Sequence, residues 1–247
     1  MSVLDQIRKL LEACTYEEQV SILDYLQART PQHPLEREWG VGGEVILSAI
    51  SRSSDLTKRG VRGIIAEAIF ERSVLASLKG WESVSFVDDR PYDFMIRQSQ
   101  PGHKELRIQL KLQRMKKQQP MHAQEANRHY PKDMYVVEVQ KTRGGIDLQT
   151  NEDTRPYRFG EFDILAVNMH PSTRDWNRFF FTVSDWLIPR HANPGLIEIF
   201  QPVSPTSNDV WTDALETCIE WVLAGGKKRI LDIEPELLMR RPKRPKS

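Results

Sequence analysis

The chain has 247 residues, of which 39% are hydrophobic and 28% charged, and its formal net charge is +1. That length suits one large domain or a domain with a small appendage. The composition excludes a disordered or fibrous chain, and the near-zero charge neither demands nor excludes nucleic acid, because DNA binding needs only a local positive surface. No apolar run approaches the roughly 20 residues that span a bilayer, so no membrane partner is expected. The first residues, MSVLDQIRKLLEAC, are amphipathic with early charges, unlike a signal peptide. The chain is therefore expected to be soluble and cytoplasmic. Its two cysteines, Cys14 and Cys218, lie far apart in helix-like stretches and are expected to be reduced, buried thiols.

Residues 3–30 predict two short helices. Leu4, Ile7, Leu10 and Leu11 recur at helical spacing, and so do Val20, Ile22, Leu23 and Leu26. Thr15 with Glu18 three residues later forms a capping box at the start of the second. Thr30-Pro31-Gln32-His33-Pro34 stops it, since proline cannot continue a helix. Residues 1–38 are thus set apart as a helical hairpin appendage, suited to packing, to dimerisation or to a partial helix-turn-helix. A helix over 40–54 follows, then a long one from Leu56 to Leu78. Its apolar face carries Val61, Ile64, Ile65, Ala68, Ile69, Val74 and Leu75, and Gly80 closes it.

Beyond Gly80 the period changes. Val84 to Val87, Asp93 to Ile96, Leu106 to Leu112, Met134 to Val139, Phe162 to Asn168 and Phe179 to Val183 all read as strands. A last helix is expected over Asp209 to Ala224, stopped by Gly225-Gly226. Residues 39–236 would make one α/β domain, a sheet with helices against it. Residues 237–247, basic and proline-containing, would be a disordered tail.

The segment Leu106-Arg107-Ile108-Gln109-Leu110-Lys111-Leu112 carries the chemistry. Residues two apart on a strand share a face, so Leu106, Ile108, Leu110 and Leu112 enter a core. Arg107, Gln109 and Lys111 then line up on the other side. Asp93, in Arg90-Pro91-Tyr92-Asp93, stands where a turn enters a strand, although aspartate is disfavoured in strands. Gln98 to His103 reads as a turn, which makes the two strands a hairpin and brings Asp93 to Gln109 and Lys111. A carboxylate, an amide oxygen and an ammonium together suit phosphodiester cleavage. A hard cation such as Mg2+ takes oxygen ligands and activates water, and a lysine stabilises the phosphate charge. Glu67, on the long helix, is either a further ligand or a solvated residue paired with a cation.

Glu67, then Pro91-Tyr92-Asp93, then Gln109-Leu110-Lys111 resembles the PD-(D/E)XK nuclease superfamily, type II restriction endonucleases in particular, over about residues 56–190. The pattern departs from the commonest one at Gln109, where an acidic residue is usual. A Gln-X-Lys variant is similar to Mrr-like nucleases and to some transposon-encoded end-cleaving nucleases. The resemblance implies a restriction-endonuclease-like mixed central sheet flanked by helices, with Asp93, Gln109, Glu67 and Lys111 as catalytic residues. The first three would hold Mg2+. It implies site-specific cutting of double-stranded DNA to 5′-phosphate ends by a homodimer. A repair, recombination or transposition nuclease and a non-catalytic DNA-binding relative are the alternatives. Asp163 would either support the site or cap and pack. Arg114, Lys116, Lys117 and Arg128, which follow the lysine strand, and Arg143, Arg155 and Arg158 are the expected phosphate contacts. The six tryptophans sit in apolar surroundings and are expected in the core.

Overall fold

The structure is a computed structural model that describes residues 2–29, 33–88, 90–99, 104–141, 155–233 and 237. The helix stop at residues 30–32, residues 100–103 of the Gln98–His103 turn, Arg143 and the basic tail beyond residue 237 lie outside the described residues. The chain forms two compact units, residues 1–58 and 59–247. The division falls later than the expected one after residue 38.

In the first unit, α1 (Val3–Ala13) and α2 (Tyr16–Arg29) are the two predicted helices. The Thr15 box is present: the Glu18 amide donates to Thr15 Oγ1 at 3.3 Å and the Thr15 amide donates to Glu18 Oε2 at 2.8 Å. A similar box of Ser2 and Asp5 starts α1. The short α3 (Pro34–Trp39), not expected from the sequence, ends at Gly40 in the left-handed conformation that glycine takes without strain. After it comes α4 (Gly43–Arg52), close to its prediction. None of the described residues in this unit is buried, and the apolar stripe of α1 is open to solvent, with Leu10 67% exposed.

The second unit is mixed α/β. A five-stranded mixed sheet orders as β1 (Trp81–Ser83), β2 (Phe94–Gln98), β3 (Glu105–Leu112), β7 (Ile164–Asn168) and β8 (Phe179–Val183). Of the smaller strands, β4 (Met115–Lys116) pairs with β5 (Gln119–Pro120), and β6 (Tyr135–Glu138) pairs with β9 (Phe200–Val203). In the main sheet β3 and β7 run parallel, with Ile108 opposite Ile164 and Leu112 opposite Asn168, and the other neighbours are antiparallel. The predicted β2–β3 hairpin is present, with Phe94 opposite Ile108. Helices flank the sheet: α5 (Asp55–Ile69), the short α6 (Ala123–Ala126) and α7 (His170–Thr173), and α8 (Leu215–Ala224).

Several expectations are corrected. The long helix is regular only to Ile69, then widens into a π turn over Phe70–Val74 and tightens into a 3-10 turn over Leu75–Ser77. Its buried face matches the predicted stripe only in part: Leu75 is buried and Ile69 and Val74 pack against the core, but Ile64 is 65% exposed, and Ala66 and Phe70, outside the stripe, are buried. Phe70 decides this, because its ring lies 5.0 Å from that of Phe94 and 5.3 Å from that of Phe179 and so pins the helix to the sheet through aromatic contacts. The segment from Val84 to Val87 is not a strand; the edge strand is β1, just before it. The last helix begins at Leu215 rather than Asp209 and ends at Gly225 in the left-handed conformation, as predicted. Cys218 is buried, whereas Cys14, at the end of α1, is only half-buried. Trp186 and Trp211 are in the core, but Trp39 is exposed.

Candidate active site

All residues of the predicted centre except Glu67 come from the β2–β3 hairpin. The burial of β3 alternates as its sequence implies, with Leu106, Ile108 and Leu110 in the core and Arg107 and Lys111 half-buried. Gln109 breaks the alternation: it lies on the polar side yet is only 1% exposed. A polar side chain so enclosed must find partners or cost free energy.

Those partners begin with Asp93. Its amide donates to the Ile108 carbonyl at 3.0 Å and is the last such bond at this end of the hairpin. Asp93 Oδ2 then accepts the Leu110 amide at 2.8 Å and the Gln109 Nε2 amide. The other hydrogen of Nε2 goes to the Leu110 carbonyl at 3.1 Å. Both acceptors are unambiguous oxygens, so they fix the orientation of the Gln109 amide. Gln109 Oε1 points away from them and is buried without a hydrogen-bond partner among the described residues.

Lys111 stands two residues on. Its Nζ donates to the Tyr157 hydroxyl at 3.3 Å and lies 5.4 Å from the centre of the Tyr157 ring. Lys141 Nζ lies 5.4 Å from the same ring, so two ammonium groups share one aromatic platform. Burial pushes the Lys111 ammonium below the ordinary lysine range, and the charges of Asp93, Glu67 and Glu138 pull it back. Burial raises the Asp93 carboxyl, against the pull of Lys111 and the Leu110 amide. Burial also raises Glu67, the Asp93 charge adds to it, and Lys111 opposes both. Glu67 is therefore close enough to Asp93 and Lys111 to join their charge cluster, and it is half-buried rather than solvated.

Two members of this neighbourhood were not singled out from sequence. Tyr157 holds Lys111 but comes from a loop 46 residues further on, which no local spacing reveals. Glu138 is the third carboxylate acting on Lys111. It did leave a signal, as the single charge within Val136-Val137-Glu138-Val139.

Asp163 does not join the cluster. It binds Arg107: the Arg107 amide donates to Oδ2 at 2.7 Å, Nε to Oδ2 at 3.0 Å and Nη2 to Oδ1 at 2.9 Å. This clamp ties the start of β3 to β7, the packing role rather than the catalytic one. The expected phosphate contacts that the structure describes differ in their surroundings. Arg114 is ion-paired with Glu138 and Lys116 with Glu125. Lys117 sits at the β4–β5 tip, where it and Gln118 take positive φ values of 50° and 62°. Arg128, Arg155 and Arg158 are exposed.

No family model matches the chain, no curated protein matches it, and no solved structure does. The geometry therefore carries the functional reading alone. Among the described residues, no three or more His, Cys, Asp or Glu side chains gather as a metal site. The donors present are two carboxylates and an amide oxygen. Asp93 Oδ1 and Gln109 Oε1 have no hydrogen-bond partner among the described residues. Two free oxygens on one hairpin, with Glu67 near, fit an oxygen-seeking divalent cation. Among the described residues, no helix is long and apolar enough to cross a membrane.

Proposed function

We propose that the chain is a Mg2+-dependent endonuclease that cuts double-stranded DNA at specific sites, with the centre at Asp93, Gln109, Lys111 and Glu67. The observation that carries this reading is the orphaned Gln109 Oε1, buried beside a carboxylate and two residues from a lysine. A buried acceptor without a partner costs about 1–3 kcal/mol, and a cation would satisfy it. Asp93, Gln109 and Glu67 would hold the Mg2+, which would supply Lewis acidity toward a phosphate oxygen and toward water. Lys111, oriented by Tyr157, meets the charge that grows on the phosphate in the transition state.

The mixed central sheet, with the β2–β3 hairpin inside it carrying the proposed centre, supports a restriction-endonuclease-like fold. Glutamine in place of the usual acid withholds one negative charge from the metal, so metal affinity is lower than with a carboxylate. Hydrolysis would leave 5′-phosphate ends. A homodimer presents two such centres about a two-fold axis, as a palindromic site requires. The exposed Leu4, Ile7 and Leu10 of α1 support self-association.

The test is incubation of the purified chain with plasmid and phage DNA, in Mg2+ and in EDTA, beside a Lys111→Ala variant. Discrete fragments that need Mg2+ and vanish in the variant are expected. Cutting confined to branched or damaged DNA would replace site-specific restriction with a repair or recombination role. Binding without cutting would leave a non-catalytic DNA-binding relative.

A further inference from the structure

The parallel strands β3 and β7 end together at Leu112 and Asn168. In open α/β sheets the carboxyl ends of parallel strands are where ligands sit. Just beyond the end of β3, Arg114 is held by its own amide, which donates to the Val136 carbonyl at 2.8 Å. Its guanidinium is ion-paired with Glu138 Oε2. Arg59 Nη1 reaches that same oxygen at 4.0 Å from α5. Arg62 is three residues further along α5, on the same helix face as Arg59. Its charge is felt by His170, two residues past the end of β7. The Ser172 amide in turn donates to Gln113 Oε1 at 3.0 Å, which joins α7 to the end of β3.

Two guanidinium groups, Arg114 and Arg59, thus share the single charge of Glu138, and Arg62 adds a third on the same face of α5 with its charge directed at the end of β7. Gln140 Nε2 takes the other Glu138 oxygen. The donors outnumber the acceptors. Arg62 Nε and Arg114 Nε are both buried and have no hydrogen-bond partner among the described residues. Buried arginine donors without acceptors suit an incoming oxyanion, and the guanidinium fork matches phosphate oxygens in pairs. Arg59 is half-exposed, so the cluster is open to solvent on one side. Glu138 is also one of the carboxylates acting on Lys111, which puts the cluster next to the candidate centre.

We propose that Arg59, Arg62 and Arg114 form a seat for a DNA backbone phosphate beside the one cut, and that Glu138 fills it as an internal counter-ion until the duplex displaces it. This rests on the reading of the chain as a DNA-cutting enzyme and adds two residues, Arg59 and Arg62, and a displaceable acid to it.

The experiment measures binding of short fluorescent duplexes of several unrelated sequences to the full chain, with Ca2+ in place of Mg2+, across a range of salt. Arg59→Gln and Arg62→Gln should each weaken binding on every sequence. Each should reduce the slope of log K against log salt by about 0.9, one phosphate contact's worth. Glu138→Gln should tighten binding several-fold and steepen the slope. Arg114→Gln is expected to act like the other two, and its melting temperature shows whether it folds. Wild-type affinity and slope in both Arg59→Gln and Arg62→Gln would overturn the seat. So would weaker binding by a folded Glu138→Gln, which would make the cluster a structural ion network, or a loss confined to one sequence, which would mark base contacts. Cutting is scored separately in Mg2+. Binding with these properties but no cutting would remove the nuclease reading and leave the seat. Normal cutting and binding in the arginine variants would remove the seat alone.

Discussion

Asp93 Oδ2 accepts the Leu110 amide at 2.8 Å at the point where the β2–β3 ladder ends and β2 offers β3 no further carbonyl. One carboxylate oxygen thus finishes the hairpin, and the other stays available. The two duties can be separated by mutation. Asp93→Asn keeps an acceptor for the Leu110 amide but removes the charge. It should leave the melting temperature nearly unchanged and lower cutting by about a hundredfold or more, since a lost metal-site residue costs at least as much as a lost supporting one. Asp93→Ala also strands the Leu110 amide and the Gln109 Nε2 group, so it should lose about 1–3 kcal/mol of stability as well. Denaturant titration of both variants beside the cutting assay checks this. Equal stability of the two variants would mean the carboxylate does not support the hairpin.

The displaced ionisations at the site set the pH dependence of cutting. Asp93 and Glu67 titrate above their ordinary range, chiefly through burial. Their charged forms are lost as pH falls through those raised values, so the acid limb should lie above the ordinary carboxylate range of about 4. Lys111 titrates below its ordinary range. Its ammonium is lost as pH rises through that lowered value, so the alkaline limb should lie below about 10.4. The profile of cutting rate against pH should thus be narrower on both sides than unperturbed groups would give. Glu67→Gln should shift the acid limb downward if activity survives. An acid limb at the ordinary carboxylate value in the wild type would show that neither buried acid controls the reaction.

Parts of this site were readable from sequence because they are local. Strict alternation over Leu106–Leu112 and the turn residues after Gln98 gave the β2–β3 hairpin, and the hairpin by itself brings Asp93 to Gln109. The orientation of α5 was not readable, since its apolar residues go most of the way round. Only the aromatic contacts of Phe70 with β2 and β8 choose which of them are buried. Strand β9 was missed because Phe200-Gln201-Pro202-Val203 is short and holds a proline, a residue that argues against a strand. Tyr157 and the Glu138 cluster depend on tertiary contacts alone.

Tyr157 is a positioning residue: its hydroxyl receives the Lys111 ammonium at 3.3 Å, and its ring lies beside both Lys111 and Lys141. Tyr157→Phe keeps the ring and removes the hydroxyl. The maximal cutting rate should fall by about two- to tenfold, the worth of one ordinary hydrogen bond, with KM little changed. The alkaline limb of the pH profile should move as well, because the surroundings of Lys111 change. A variant that alters KM alone would place the hydroxyl in substrate binding instead.

The Arg107–Asp163 clamp separates stability from chemistry. Three hydrogen bonds join these partly exposed residues across β3 and β7. Asp163→Ala removes all three and leaves the Arg107 amide without its acceptor. A loss of about 1–3 kcal/mol is expected after allowance for solvent screening. Folded Asp163→Ala should still cut DNA at close to the wild-type rate. Loss of cutting without loss of stability would return Asp163 to the site.

The two thiols test the packing of the second unit without reference to function. Cys218 lies on α8 with none of its surface exposed, and burial pushes its thiol far above the ordinary range. A buried thiol with so little thiolate is inert to alkylation or disulfide exchange. Cys14 is half-buried at the end of α1, where its Sγ donates to the Leu10 carbonyl at 3.1 Å. Treatment of the native protein with a thiol reagent should therefore modify Cys14 quickly and Cys218 only once denaturant opens the core. Since Cys218 reports opening of the sheet and its helices, its labelling rate should slow in step with any ligand that stabilises the fold. Added Mg2+ should slow it if Asp93, Gln109 and Glu67 take the cation. Rapid modification of both cysteines in the native protein would show that α8 does not pack on β7 and β8 as described.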